Sequence, residues 1–211
     1  MTRIGIFGGT FDPPHIGHLI LADEALTQLS LDRLLWVLTP NPPHKRDQAI
    51  TRLALRLEML EAVISQDQRF EISHIDMDRQ GPHYALDTVN LLTEKLPGAQ
   101  LVYLIGGDSL RDLPHWHEPQ RFINALFALG VMRRPGDAVD LAALEADLPG
   151  ISSKVKFVEA PLLEIASHQI RERIASGSGY RYYLPPQVYR IIEREQLYRQ
   201  PQPDIAKQQS N

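Results

Sequence analysis

Segments with strand-like and helix-like apolar patterns alternate along nearly the whole 211-residue chain, and this alternation constrains the fold more than any other feature. Arg3 to Phe7 reads as a strand, and His15 to Leu29 places Ile16, Leu19, Ile20, Ala22, Leu26 and Leu29 largely on one helical face. Leu34 to Leu38 is a second strand; Arg52 to Ile64 is helix-like, with Leu53, Leu57, Leu60 and Ile64 in register. Phe70 to Ile75 reads as a strand, and Tyr84 to Leu96 as a helix that stops at Pro97-Gly98. Gln100 to Ile105 is an almost continuous apolar run, which suits a strand buried on both faces. A Pro- and Trp-containing loop then leads to a helix near Pro119 to Leu126, a strand from Phe127 to Met132 and a helix around Leu141 to Leu148. A last strand, Lys156 to Val158, precedes a helix beginning near Ser167, and a closing helix lies within Tyr180 to Tyr198 after Pro185-Pro186.

Repeated βα units bring each new strand back to the same end of the sheet, so the strands pair in parallel and both faces are covered. The expected fold class is α/β: a Rossmann-like, doubly wound, mostly parallel sheet flanked by helices, with a small C-terminal helical extension. Residues 1–199 are expected to form one domain, and the polar stretch from Gln200 to Asn211 a disordered tail. In such sheets ligands bind beyond the carboxyl ends of the strands, near the switch in strand order. Three unusual stretches occupy strand ends: GGTFDPPHIGHL at residues 8–19, Gly106-Gly107-Asp108, and Arg133-Arg134-Pro135-Gly136.

The first of these is the most informative. Gly8-Gly9 permits a phosphate to lie close to the backbone, and Pro13-Pro14 fixes a loop that delivers His15 to the start of a helix, where backbone amides favour an anion. His15 and His18, three residues apart, project from one face of the first turn, and Gly17 between them admits a flat ligand. Such a pair can donate hydrogen bonds to charge developing on a phosphoryl group. The stretch lacks the Lys-Ser/Thr of a P-loop and the glycine spacing of a dinucleotide fingerprint. Zinc is a rival ligand for the histidines, although the chain has no cysteine; a Pro-rich turn with an exposed histidine pair is the plainest alternative.

Composition excludes several classes. No run approaches the ~18 consecutive apolar residues of a membrane span. The start of the chain shows no basic region followed by a long apolar stretch, so no secretory signal is expected and a cytoplasmic location is the default. A formal net charge of −4 argues against a broad nucleic-acid footprint and leaves small anionic ligands open.

Further stretches follow in a fixed order: Pro40-Asn41-Pro42-Pro43-His44-Lys45, Asp87-Thr88 after Tyr84, Ile105-Gly106-Gly107-Asp108-Ser109, Trp116, Arg134-Pro135-Gly136, and Ile165-Ala166-Ser167-His168-Gln169-Ile170-Arg171. With His15-Ile16-Gly17-His18 as the H-x-G-H motif, the chain resembles the nucleotidylyltransferase superfamily and, within it, the bacterial nicotinate-nucleotide adenylyltransferases, over residues 3–198. The resemblance implies transfer of the adenylyl group of ATP to nicotinate mononucleotide, with Mg²⁺ carried by the ATP and no metal site formed by the protein. It implies that His15 and His18 are catalytic, and that Gly8, Gly9, Thr10, Phe11, His15, His18, Gly106, Asp108, Ser167 and Arg171 bind ATP. Lys45 and Arg134 become candidates for the mononucleotide phosphate, Trp116 for stacking on the pyridine ring, and Thr88 with neighbouring amides for its carboxylate. Where the family often has Ile-Ser-Ser-Thr, this chain has Ile165-Ala166-Ser167-His168, so one hydroxyl is lost or replaced by His168, and Ser167 also reads as a helix cap. Rival readings are adenylyl transfer to another phosphate such as phosphopantetheine, and a nucleotide-binding regulator without turnover.

Overall fold

The computed structural model describes residues 1–42, 49–132, 139–161 and 164–199. Six strands form one sheet: β1 (Arg3–Gly9), β2 (Arg33–Leu38), β3 (Phe70–Ser73), β4 (Gln100–Gly106), β5 (Ala128–Met132) and β6 (Val155–Val158). Their order is β3-β2-β1-β4-β5-β6, and every neighbouring pair is parallel. The helices are α1 (Ile16–Gln28), α2 (Leu53–Ile64), α3 (Ala85–Lys95), α4 (Gly107–Asp112), α5 (Pro119–Ala125), α6 (Leu141–Asp147), α7 (Ile151–Lys154), α8 (Ser167–Ala175) and α9 (Pro186–Glu195).

Strand parity sorts the apolar side chains into two cores. Phe7, Leu34, Trp36, Leu38, Val102 and Leu104 face one side, where they pack with residues of α1, α2, α8 and α9. Ile4, Ile6, Leu35, Val37, Leu101, Tyr103 and Ile105, the alternate positions, face the other and meet α3, α5, α6 and α7. The chain winds outward from β1 through β2 to β3, then returns to β4 on the far side of β1. That reversal puts successive right-handed crossovers on opposite faces of the sheet and opens a crevice where the β1 and β4 carboxyl ends diverge.

The expected elements are present with boundaries shifted by a few residues. The stretch after β4 differs: instead of a loop, Gly107–Asp112 is helical and Leu113–His115 continues as a 3₁₀ turn. Gly106-Gly107-Asp108 has the composition of a turn, yet Leu110 and Leu113, one turn apart, are both fully buried. Their burial against the core outweighs the local preference of the glycines. The short α7 is likewise set by one buried side chain, Ile151.

Candidate active site

His15 is the N-cap of α1, with extended backbone (φ −140°, ψ 171°), and only 5 % of it is exposed. Its backbone N–H donates to Nδ1 of His18 at 3.1 Å. Because Nδ1 thereby serves as an acceptor, the neutral His18 ring carries its proton on Nε2, which is a donor. The two imidazoles stack with centroids 3.6 Å apart, while the edges of Phe11 and Phe7 bear on His18 at 5.1 and 5.8 Å. Phe7 and Phe11 rest in turn on Trp36. The second histidine is therefore held by a hydrogen bond on one edge and by aromatic rings around it, an arrangement that spares reorganisation when charge appears nearby.

His15, Gly17 and His18 line a cleft of about 500 Å³ together with Gly106, Asp108 and Ser109 at the β4 end and Ala166, Ser167, His168 and Arg171 of α8. Ile20, Leu21, Met132, Pro161 and Ile165 supply an apolar wall. The N-termini of α1 and α8 both open on this cleft, so two sets of backbone amides and the Arg171 guanidinium favour one anion. A Cβ at Gly106 would meet nothing within 4 Å, which leaves room for a ligand to approach the backbone there. Asp108 is exposed and ion-paired with Arg111.

Gly8, Gly9, Thr10 and Phe11, expected to touch ATP, are not among the residues lining this cleft, and each also makes contacts within the fold. A Cβ at Gly8 would fall 2.5 Å from the Tyr103 hydroxyl, and one at Gly9 would fall 2.9 Å from the Phe11 ring. Both glycines thus have an internal packing reason. Phe11 is buried with φ 47°, a left-handed conformation that costs a non-glycine residue roughly 1 kcal/mol. The Thr10 carbonyl accepts from Arg56. Replacing Gly8 with alanine is expected to cost about 1–3 kcal/mol in denaturant unfolding, because the Tyr103 ring lies edge-on against Phe122 and cannot retreat. A variant as stable as the wild type would show that this contact is soft.

Ala166, rather than Ser167, is the N-cap of α8, and its N–H donates to the Gln169 side chain at 3.0 Å. Ser167 Oγ donates to the Pro13 carbonyl at 2.9 Å, and Arg171 Nη1 donates to the Asp12 carbonyl at 2.8 Å. The last motif is thereby tied to the loop that delivers His15. His168 is exposed on the cleft wall.

Of the candidates for the second substrate, Trp116 and Thr88 lie apart from these lining residues, toward the α3 face. Trp116 is half-buried against Phe122, and its neighbour His117 stacks on Tyr84 at 4.1 Å. Thr88 is buried, and its hydroxyl donates to Asp76 at 2.8 Å, so its single proton is committed. Asp76 also receives Arg79, which reaches on to the Tyr84 carbonyl. Burial, with the Asp76 carboxylate adding to it, pushes the Tyr103 hydroxyl pKa up. Lys45 and Arg134 lie outside the described residues.

Asp12, Arg56, Asp76 and Arg79 were not legible as site-supporting residues from composition. For Arg56 a signal did exist. It sits three residues after Leu53 and four before Leu60, so an arginine occupies the apolar stripe of α2.

A six-stranded parallel sheet with a histidine pair and convergent helix N-termini at its switch point is the arrangement the resemblance to the nucleotidylyltransferases leads one to expect. Residues 6–173 match the family model described as Cytidylyltransferase-like. A Thermomicrobium roseum protein described as a probable nicotinate-nucleotide adenylyltransferase is 46 % identical over 199 residues, 94 % of this chain and 92 % of the relative. The nicotinate-nucleotide adenylyltransferase of Bacillus subtilis strain 168 is 38 % identical over 94 % of this chain and 99 % of its own. In fold, the chain matches the Plasmodium falciparum nicotinic acid mononucleotide adenylyltransferase solved with NaAD, with a TM-score of 0.78 at 18 % identity, covering 94 % of this chain and 98 % of that one. The chain belongs to the cytidylyltransferase-like family and, within it, to the nicotinate-nucleotide adenylyltransferases.

Proposed function

We propose that the protein transfers the adenylyl group of ATP to nicotinate mononucleotide, forming nicotinate adenine dinucleotide and pyrophosphate. The observation that carries this reading is the single cleft on which His18, Arg171 and the N-termini of α1 and α8 converge. A phosphate oxygen of the mononucleotide attacks the α-phosphorus; the new O–P bond forms as the bond to the bridging oxygen of pyrophosphate breaks. The attacking phosphate is already ionised, so no general base is required and no covalent intermediate forms. In this reading Nε2–H of His18 donates to the α-phosphate as charge builds, His15 buttresses it, and Arg171 with the α8 amides holds the β and γ phosphates. Asp108 would face the ribose or phosphates from the β4 side.

Among the described residues no group of three His, Asp or Glu side chains could hold a metal ion. A cleft with one carboxylate, Asp108, fits a Mg²⁺ ion that is held by the triphosphate itself. When bound, the ion would neutralise part of the triphosphate charge. We further propose that residues 1–199 act as one catalytic domain and that the enzyme works in the cytoplasm; no helix among the described residues is long and apolar enough to cross a membrane.

For the acceptor, the half-buried Trp116 ring offers a stacking platform, with Thr88 and neighbouring amides toward the nicotinate carboxylate and with Lys45 and Arg134 as phosphate ligands. A purified sample given ATP and nicotinate mononucleotide should release pyrophosphate; release only with another acceptor, phosphopantetheine for example, would overturn the reading. Trp116→Ala should raise KM for the mononucleotide by roughly tenfold and leave KM for ATP nearly unchanged, as expected for loss of one base–aromatic stack. An effect confined to ATP would remove Trp116 from the acceptor pocket.

A further inference from the structure

Arg56 is 1 % exposed, yet none of its hydrogen bonds to the described residues goes to a carboxylate. Nε donates to the Thr51 carbonyl at 2.8 Å, Nη1 to the Thr10 and Thr39 carbonyls at 3.0 and 2.9 Å, and Nη2 to the Pro40 carbonyl at 2.8 Å. One planar guanidinium thus bridges the exits of β1 and β2 and the entrance to α2. Burial lowers its pKa, and the nearby Asp12 carboxylate works in the opposite direction.

Asp12 completes the arrangement. One carboxylate oxygen accepts from the Thr51 N–H at 3.1 Å, and the other accepts from the Tyr198 hydroxyl at 2.6 Å. Tyr198 follows α9, 186 residues away in sequence, and stands at φ 62°, in the left-handed region that non-glycine residues rarely adopt. The main-chain oxygens of Asp12 and Pro13 are taken by Arg171 and Ser167. The Thr10–Pro13 segment, which leads straight to His15, is therefore gripped from α2, from α8 and from the C-terminal Tyr198. Neither Asp12, Arg56 nor Tyr198 lines the cleft.

A buried guanidinium loses its hydration, and neutral carbonyl dipoles compensate for that less fully than a carboxylate would. What the arrangement does secure is geometry, because a rigid fork with several fixed acceptors defines where each carbonyl stands. We propose that Arg56, Asp12 and Tyr198 are positioning residues for adenylyl transfer: they hold the Thr10–Pro13 segment so that His15 and His18 stand at the correct distance from Arg171 and the α8 N-terminus. The proposal rests on the adenylyl-transfer reading above.

Tyr198→Phe is the test variant, since it removes one O–H donor and keeps the ring. Measured per folded molecule, well below the melting temperature, kcat should fall about tenfold while KM for ATP and for the mononucleotide stays within about twofold, the pattern of a small misplacement felt in the transition state. A residue that acts through His18 should lose its effect when His18 is absent. In the His18→Ala background, Tyr198→Phe should therefore change kcat less than about twofold. Arg56→Lys, which keeps the charge but loses the fork, should behave as Tyr198→Phe does. Wild-type kcat in Tyr198→Phe, or the same tenfold loss in both backgrounds, would overturn the proposal. Absence of dinucleotide formation by the wild-type protein would instead overturn the function reading on which it stands.

Discussion

His18→Ala is expected to lower kcat by roughly 10²-fold or more, with the fold retained, because it removes one donor aimed at the transition state. The expectation follows from how the ring is held. Its Nδ1 is occupied by the His15 N–H, which fixes the tautomer, and Phe7, Phe11 and the His15 ring limit its rotation. A donor fixed before the reaction stabilises developing charge without paying for its own alignment at that moment. The side chain is half-buried on a cleft wall rather than central to either core, so truncation opens space to solvent instead of leaving a sealed void. The accompanying loss of the acceptor for the His15 N–H should cost about 1 kcal/mol of stability, as for other helix caps. Circular dichroism and steady-state kinetics on one sample separate the two effects. Near-normal kcat in a folded variant would refute the role assigned to His18.

The largest expected effect on stability comes from Asp76→Ala. This carboxylate is 2 % exposed and accepts from Arg79 Nη2 and Nε at 3.0 and 3.1 Å and from the Thr88 hydroxyl at 2.8 Å. Removing it leaves a largely buried guanidinium with only the longer, more exposed Asp87 contact at 3.7 Å and the Thr88 hydroxyl with only the Tyr84 carbonyl at 3.2 Å, so the cost falls toward the lower end of the about 3–5 kcal/mol typical of a broken buried pair. For a domain of this size the melting temperature should drop by roughly 6–20 °C. Exposed pairs such as Arg69–Asp23 should contribute far less, since water screens them. Thermal unfolding of Asp76→Ala decides the point, and a drop of less than about 2 °C would mean that Asp87 and the Tyr84 carbonyl suffice for Arg79 and Thr88. Because Arg79 also reaches the Tyr84 carbonyl, the variant should raise KM for the mononucleotide in whatever fraction remains folded.

Elements whose apolar spacing runs for several turns were the legible ones. α1, α2 and α3 lie within a few residues of their expected ends, and β4 is the doubly buried strand its unbroken apolar run implied. The helical character of Gly107–Asp112 was hidden, because only the tertiary burial of Leu110 and Leu113 offsets the preferences of Gly107 and two aspartates. Among the site residues, the histidine pair was legible for a related reason. Its i, i+3 spacing at a helix start is local geometry, and the stacked rings follow from it. The work of Gly8 and Gly9 was not legible, since the atoms they make room for, Tyr103 Oη and the Phe11 ring, enter from elsewhere in the fold or by a backbone reversal.

Taken alone, the chain's own pattern determined a parallel α/β sheet, the location of a phosphate-handling loop at the end of its first strand, and the family to which its motifs belong. Each of these depends on residues close together in sequence, where helical and strand periodicity or the conformational limits of glycine and proline act directly. The tertiary structure decided which groups meet across the switch point: Arg171 and Ser167 on the carbonyls of Asp12 and Pro13, Tyr198 on the Asp12 carboxylate, and Arg56 across three segments. Those pairings join positions up to 186 residues apart, and nothing in local periodicity encodes them. They arise because buried polar groups must find partners wherever the packed cores bring them, and a carbonyl or carboxylate can be satisfied from any direction in which the fold supplies a donor.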